Sequence, residues 1–274
     1  YGCFPGNFLC PVNHLPCGRA CYRPDQYDCC NGALARPGSC TNGLPTNFNS
    51  ATKWPNCINP IGNQGGCGSC WAFSATDVLG DRFCIHKHLA SFLDLSAQYQ
   101  VSCDTNNYGC DGGFLDLTWS FLANTGVPTA ACVPYSGTDG TCPATCVNNS
   151  PITLNRATAV MQLDGSDIEA VQQEIFDNGP IQAAFAVYND FFFYTSGVYK
   201  YASGAFAGGH AVRVVGWGVE TGTNQPYWIV ANSWGTDWGI DGFFWIKKGN
   251  NECGIEADVY DGVPDLSNIP TPLN

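Results

Sequence analysis

Seventeen cysteines in 274 residues constrain this chain more than any other feature. So dense a set belongs to an oxidising compartment and reads as a disulfide framework rather than a collection of free thiols. The number is odd, so pairing leaves a thiol over. With one set aside, 17 − 1 = 16 remain, enough for eight bridges. The length suits one large domain or a domain with an appendage, and hydrophobic residues at 45% supply a sizeable core. A formal net charge of −12 argues against nucleic acid or an anionic membrane surface as partner and suits an acidic or extracellular setting. No apolar run reaches membrane-spanning length. The chain starts at Tyr1 and its single methionine is Met161, as expected of a processed product. Asn148-Asn149-Ser150 is an N-glycosylation sequon, consistent with secretion.

The cysteines divide the chain. Residues 1–43 hold Cys3, Cys10, Cys17, Cys21, Cys29, Cys30 and Cys40 among frequent prolines and glycines, with no helical period. So small a segment cannot bury enough apolar surface, and bridges are expected to hold it. Three readings of this arm stay open. It is a disulfide-tied extension without activity. Or it is a glycan-binding unit, since Gly6–Pro11 and Cys17–Cys29 resemble a small cysteine-rich carbohydrate-binding module of secreted enzymes, with Tyr22 and Tyr27 to stack on sugar rings. Or it folds over a cleft of the following domain. Residues 36–43 read as the linker.

From Leu44 the texture changes. A helix-like run follows Cys70, a short helix starts near Ser96, and a third runs from about Phe114 to Ala123 with Phe114, Leu117 and Phe121 on one stripe. Ser166-Asp167-Ile168-Glu169 reads as a capping box, opening a helix with Ile168, Val171 and Ile175 inward that stops at Gly179-Pro180. Strand patterns then dominate over 181–188, 210–219, 226–233 and 242–247. Helices first and strands afterwards predict an α+β chain in two lobes, with a substrate site expected in the cleft between them.

The chemistry centres on Gln64-Gly65-Gly66-Cys67-Gly68-Ser69-Cys70-Trp71. A glycine-rich turn delivers Cys70 to a helix N-terminus, where unpaired N–H groups and the helix dipole favour a thiolate. Cys67 and Cys70 have the spacing of a zinc half-site, but no second pair of ligands matches it. A redox pair would need a βαβ context, which is absent. The remaining reading is a bridged Cys67 beside a nucleophilic Cys70, which needs a distant histidine. Of His14, His86, His88 and His210, the first lies in the arm and the next two flank Lys87 near a helix end, as solvated residues do. His210 follows Gly208-Gly209 and opens a strand, and 210 − 70 = 140 falls within the Cys-to-His interval of papain-like enzymes. Asn232, at a strand end before Ser233-Trp234, is placed to accept a hydrogen bond from the imidazole. Gln64 offers an amide donor to an oxyanion together with the Cys70 N–H.

From Leu44 to Pro264 the chain resembles papain-family cysteine proteases of the cathepsin B group. The likeness is carried by Leu44-Pro45, Gln64–Phe73, Asp81–His86, Gly109–Gly113, Asn178–Pro180, Gly208–Val219, Tyr227–Gly239 and Cys253–Glu256. It implies a papain-like peptidase domain over 44–274, with a helical lobe mainly at 58–150 and an antiparallel β-barrel-like lobe mainly at 151–258. It implies Cys70 as nucleophile, His210 as base and acid, Asn232 as orienter and Gln64 in the oxyanion hole. Substrate contacts fall to Gly112, Gly113, Phe114, Gly209, Ala211 and Trp234. Asp258 falls at the bottom of the S2 pocket, where it would admit a basic P2 residue beside apolar ones.

The resemblance also implies bridges Cys57–Cys84, Cys67–Cys110, Cys103–Cys142 and Cys132–Cys146. Cys70 then stays free, and Cys253 is expected to pair with an arm cysteine. No cofactor and no metal are implied. The expected partners are protein and peptide substrates, with a glycan through residues 1–43, and the chain is expected to act as a monomer in a secreted, lysosomal or vacuolar setting. One departure from the group stands out. The loop between Cys132 and Cys146 is short and has no histidine, where the group carries two that hold a substrate C-terminus. Internal cleavage is therefore expected. The rival expectation is a silent homologue that only binds glycan or protein.

Overall fold

The computed structural model describes residues 43–267 and, before them, only the backbone of six short strands. The chain divides into two compact units, Tyr1–Phe48 and Asn49–Asn274. In the first, β1 (Gly2–Phe4) pairs antiparallel with β2 (Phe8–Cys10), β3 (Leu15–Cys17) with β4 (Ala20–Tyr22), and β5 (Asp28–Cys30) with β6 (Ala33–Ala35). The side chains of this unit before Gly43, and with them Tyr22, Tyr27, His14 and the arm cysteines, lie outside the described residues.

After the two-residue β7 (Phe48–Asn49) and the single turn α1 (Ser50–Lys53), the second unit is built around α2 (Cys70–Lys87). This helix is apolar on nearly all sides, and thirteen of its residues are buried, as a helix at the centre of a core must be. Gly80 lets the chain at Leu93 cross it closely, since a Cβ there would meet the Leu93 carbonyl oxygen at 2.1 Å. The helix ends at His88, in the left-handed conformation, whose N–H bonds the Cys84 carbonyl. Beside it lie α3 (Ala97–Cys103), capped by Ser96 Oγ on the Tyr99 N–H, and α4 (Leu115–Asn124). The buried face of α4 is Leu115, Thr118, Trp119, Phe121 and Leu122. The stripe expected through Phe114 and Leu117 is thus off by one. Trp119 fixes the rotation, because its Nε1 donates to the buried Gln182, and Phe114 is left 58% exposed.

The other half is a mixed sheet of β8 (Ala157–Leu163), β9 (Ile181–Tyr188), β10 (Val198–Tyr199), β11 (Phe206–Val219), β12 (Pro226–Ala231), β13 (Phe243–Lys247) and β14 (Asp258–Pro264). Its order is β10-β13-β12-β11-β9-β14-β8, antiparallel except for β10 with β13. The α5 helix (Ile168–Asn178) precedes β9. Its cap is Asp167, whose side chain accepts the Ala170 N–H, while Ser166 Oγ turns back to Asp164. The expected capping box on Ser166 does not form, because the carboxylate one residue later is the better acceptor for a helix N-terminus.

Buried polar groups join the halves. Arg213 on β11 bonds Asp81 on α2 at 2.7 Å and the Asn59 carbonyl at 2.8 Å, with Asp77 at 3.7 Å. Arg82 bonds the Pro180 and Gly179 carbonyls and lies 3.0 Å from Glu174 and 3.2 Å from Asp261. Gln182 accepts from Trp119 and donates to Ser74 and to the Trp71 carbonyl. Disulfides join Cys57 to Cys84, Cys67 to Cys110, Cys103 to Cys142 and Cys132 to Cys146. Among the described residues Cys70 and Cys253 are free thiols. The pairing expected for Cys253 is therefore not made. This residue sits in a tight turn at φ 51°, and burial with the nearby Glu252 and Asp190 carboxylates pushes its thiol up to about 11.

Two carboxylates, the partly buried Asp77 and the buried Asp261, tie stability to pH. Burial outweighs Arg213 and, with Asp81 and Asp94 adding, raises Asp77 to about 7. Burial likewise outweighs Arg82 and, with Glu174 adding, raises Asp261 to about 6. An unfolded Asp titrates at about 3.9, so between these values the folded chain holds protons that the unfolded chain has lost. The stability this confers is fully present below about pH 4 and fades as pH rises through 6 to 7. The thermal midpoint of reversible unfolding is expected to be higher at about pH 5 than at about pH 7.5. A midpoint that rises over that interval would contradict the assignment.

Candidate active site

A cleft of about 580 Å³ opens where the N-terminus of α2 meets β11. The turn before α2 is shaped by its glycines. Gly65 takes φ +60°, and Gly68 passes so close to Cys110 that a Cβ would lie 2.5 Å from its carbonyl oxygen. The Gly68 N–H bonds that oxygen at 2.8 Å, and the Cys67–Cys110 bridge closes the same contact covalently. Cys70 is thereby presented as the first residue of α2. On the facing wall Gly113 lies against the Trp71 indole, where a Cβ would sit at 2.7 Å.

His210 comes from β11, directly across from Phe185 on β9. It is buried, and Trp234 covers its ring at a centroid distance of 4.9 Å. Its Nε2 lies 2.7 Å from Asn232 Oδ1, which leaves Nδ1 for the Cys70 thiol with which the ring is hydrogen-bonded. Asn232 stands just beyond the end of β12, at Ala231, and its Oδ1 also accepts the Ser233 N–H. Gln64 is fixed on both sides of its amide. Oε1 accepts from Ser233 Oγ at 2.6 Å and Nε2 donates to the Cys67 carbonyl at 2.9 Å, leaving one N–H. Backbone pairing of Asn63 with Trp234, and Gly235 N–H on the Gly62 carbonyl, binds the glutamine segment to the asparagine segment.

The electrostatics pull Cys70 and His210 in opposite directions. Burial alone would keep the thiol protonated. The His210 cation, its hydrogen bond, and the N–H groups of Ala211 and Trp71 outweigh burial and bring Cys70 below the ordinary thiol range. Burial also disfavours the imidazolium, but Cys70 and then Asn232 outweigh it and raise His210 above its usual value. A thiolate beside an imidazolium can attack a carbonyl carbon and then return a proton to a leaving group.

Of the residues singled out in the sequence, Cys70, His210, Gln64, Gly112, Gly113, Phe114, Gly209, Ala211, Trp234 and Asp258 all line this cleft, and Asn232 lies behind His210. Asp258 shares its recess with Leu115 and Ala184, and burial, then Asp116, raises its carboxyl. His86 and His88 are at the other end of α2. Asn148 is exposed, with Oδ1 on the Ser150 N–H. Sequence reading missed Phe192, which stacks on Trp234 at 5.5 Å and lines the cleft. It also missed Ser233 and Tyr135, which hold Gln64. Only the serine had a signal, its place beside Asn232. Among the described residues no His, Cys, Asp and Glu group is arranged to hold a metal, and no helix is long and apolar enough to cross a membrane.

The profile of the family described as papain family cysteine protease matches residues 44–263, and a carbohydrate-binding profile matches residues 1–34. The chain is 45% identical over 261 residues to cathepsin B-like CP3 of Giardia intestinalis, covering 93% of this chain and 83% of that one. It is 41% identical over 259 residues to cathepsin B-like cysteine proteinase 4 of Caenorhabditis elegans, covering 81% and 76%. Procathepsin B S9 of Trypanosoma congolense superposes with a TM-score of 0.77 at 40% identity, covering 81% of this chain and 78% of that one. With its helices on one side of the cleft and its mixed sheet on the other, the chain belongs to the papain family of cysteine proteases, in its cathepsin B-like group, and is a cysteine peptidase.

Proposed function

We propose that the chain is an endopeptidase in which Cys70, His210, Asn232 and Gln64 carry the chemistry. The observation that carries this reading is the convergence at the head of one cleft of Cys70, at the start of α2, and His210, on β11, with His210 Nε2 2.7 Å from Asn232 Oδ1 behind it. The Cys70 thiolate attacks the scissile carbonyl carbon, and the carbonyl π electrons move to oxygen. The free N–H of Gln64 Nε2 and the Cys70 N–H take up that charge, a contribution worth about 10²–10³ in rate per donor. As the intermediate collapses, His210 gives its proton to the departing amine and a thioester remains. Water, deprotonated by His210, then attacks the thioester, releasing the acid and restoring the thiolate. Asn232 keeps the imidazole in the tautomer and orientation that both steps need, and Trp234 keeps water from that bond.

Internal cleavage is the reading favoured by the 132–146 loop, which is tied by two disulfides and holds no histidine to grip a terminal carboxylate. Asp258 recessed beside Leu115 and Ala184 suits a basic or an apolar P2 side chain. The disulfides and the acid-side stability fit a secreted, lysosomal or vacuolar setting, and the profile match over residues 1–34 fits glycan binding by the arm.

Digestion of a long peptide, followed by mass spectrometry, is expected to yield internal fragments with basic or apolar residues at P2. Successive loss of C-terminal dipeptides would sink the endopeptidase reading. The hydrogen bond to Asn232 helps hold His210 above its usual range. In Asn232→Ala the alkaline limb of kcat/KM is therefore expected to move to lower pH while the acid limb, set by Cys70, stays in place. An unmoved alkaline limb would count against the role given to Asn232.

A further inference from the structure

The geometry points to Tyr135 as a positioning residue for the oxyanion site, through a relay of two hydroxyls that spans its two donors. This inference rests on the roles proposed above for Gln64 and Cys70. Tyr135 belongs to the loop closed by Cys132–Cys146 and fastened to α3 by Cys103–Cys142. Ser136 N and Oγ both bond Gln98 Oε1, and Gln98 Nε2 bonds the Thr138 carbonyl. The loop is thus a fixed support. From it the Tyr135 ring meets Phe73 edge-on at 4.6 Å, and its hydroxyl reaches the turn before α2.

That hydroxyl lies 2.8 Å from the Gln64 carbonyl oxygen and 2.7 Å from Ser69 Oγ. A carbonyl only accepts, so the single phenol proton goes to Gln64. The Ser69 hydroxyl must then donate to the Tyr135 oxygen. Burial raises the phenol above its usual range, which keeps it a donor. The relay runs Ser69 Oγ–H to Tyr135 Oη–H to the Gln64 carbonyl. Its ends coincide with the two proposed oxyanion donors: Gln64 bears the side-chain amide, and the Ser69–Cys70 peptide bears the Cys70 N–H. Between them lies a turn whose glycines, Gly65, Gly66 and Gly68, resist opening poorly by themselves. The backbone bond across it, Cys67 N to Gln64 O, is long at 3.4 Å.

Ser69 carries a second sign of this duty. A serine at the N-cap ordinarily turns its oxygen onto the first-turn N–H groups. Ser69 is the N-cap of α2, is fully buried, and makes no such bond. Its hydroxyl is spent on Tyr135, so the serine side chain leaves the Trp71 N–H, at the second helical position, to the Cys70 sulfur. Oxyanion stabilisation depends on donors already in place when charge develops, and holding that span is what the phenol does.

Tyr135→Phe keeps the ring on Phe73 and deletes only the hydroxyl. The expected result is a fall of about tenfold in kcat with KM nearly unchanged. Affinity for a peptide aldehyde, whose adduct places an oxyanion in the same hole, should weaken in parallel. The rate of Cys70 alkylation by iodoacetamide, which develops no carbonyl oxyanion, should match wild type. Ser69→Ala removes the other half of the relay, is expected to show the same three-part pattern, and supplies the readout should Tyr135→Phe not fold. Wild-type kcat and aldehyde affinity in both variants would overturn the inference alone. So would a loss of alkylation rate equal to the loss in kcat, which would place the effect on the thiolate. A wild-type protein that hydrolyses no peptide would overturn the proposed function and the inference together.

Discussion

The grip of Arg213 on α2 is the contact on which the rest of this structure turns. Cys70 heads that helix and His210 lies on the same strand as Arg213, so their meeting depends on how the helix sits against β11. Arg213 fixes this with a 2.7 Å bond to Asp81, while Asn59 satisfies the other carboxylate oxygen through its own N–H and side-chain amide, both at 2.7 Å. Removing one partner of so buried a pair costs about 3–5 kcal/mol, since the other charge is left without compensation. The same charges that hold the helix in register also make the fold sensitive to pH. Asp77 shares the guanidinium with Asp81, and two carboxylates around one buried cation do not both ionise freely.

On that frame the cleft is assembled from turns rather than from regular elements. The Cys67–Cys110 bridge and the Gly68 contact draw the turn before α2 against the 109–113 segment. Pairing of residues 62–64 with 233–235 draws the same turn against the segment after β12. The thiol, the imidazole and the amide of Gln64 are therefore each held from two directions. Such over-determination keeps the Cys70 thiol and the His210 ring together, so that each opposes the effect of burial on the other.

Much of this could be read in the sequence where chemistry is written locally. A glycine turn before an apolar helix marks Cys70, a strand end marks Asn232, and paired glycines mark His210, although β11 starts at Phe206 and holds those glycines inside the strand rather than before it. The helices over 70–87, 97–103, 115–124 and 168–178 have caps or stops nearby, and the central strands are rich in Val, Ile and aromatic residues. β8 and β14 escaped notice for a physical reason. Ala157–Leu163 mixes Ala, Thr and Gln with most side chains outside the core, and Asp258–Pro264 contains two Asp, a Gly and a Pro. Pairing with neighbours overrides these weak propensities. Tyr135 acquires meaning only from Gln64 and Ser69, partners far along the chain. Arg213 did carry a signal, because one cation inside Ala-Val-Arg-Val-Val demands a buried partner, and Asp81-Arg82 within an apolar helix demands the same.

The central claim is that Cys70 rests as a thiolate paired with protonated His210. Its most direct measurement is the ultraviolet absorbance of the thiolate, followed against pH as the difference between the native protein and the protein with Cys70 blocked. A thiolate signal is expected already at mildly acidic pH, as is its loss at that pH in His210→Ala. A signal that first appears near the ordinary thiol value of about 8.5, with or without His210, would contradict the claim.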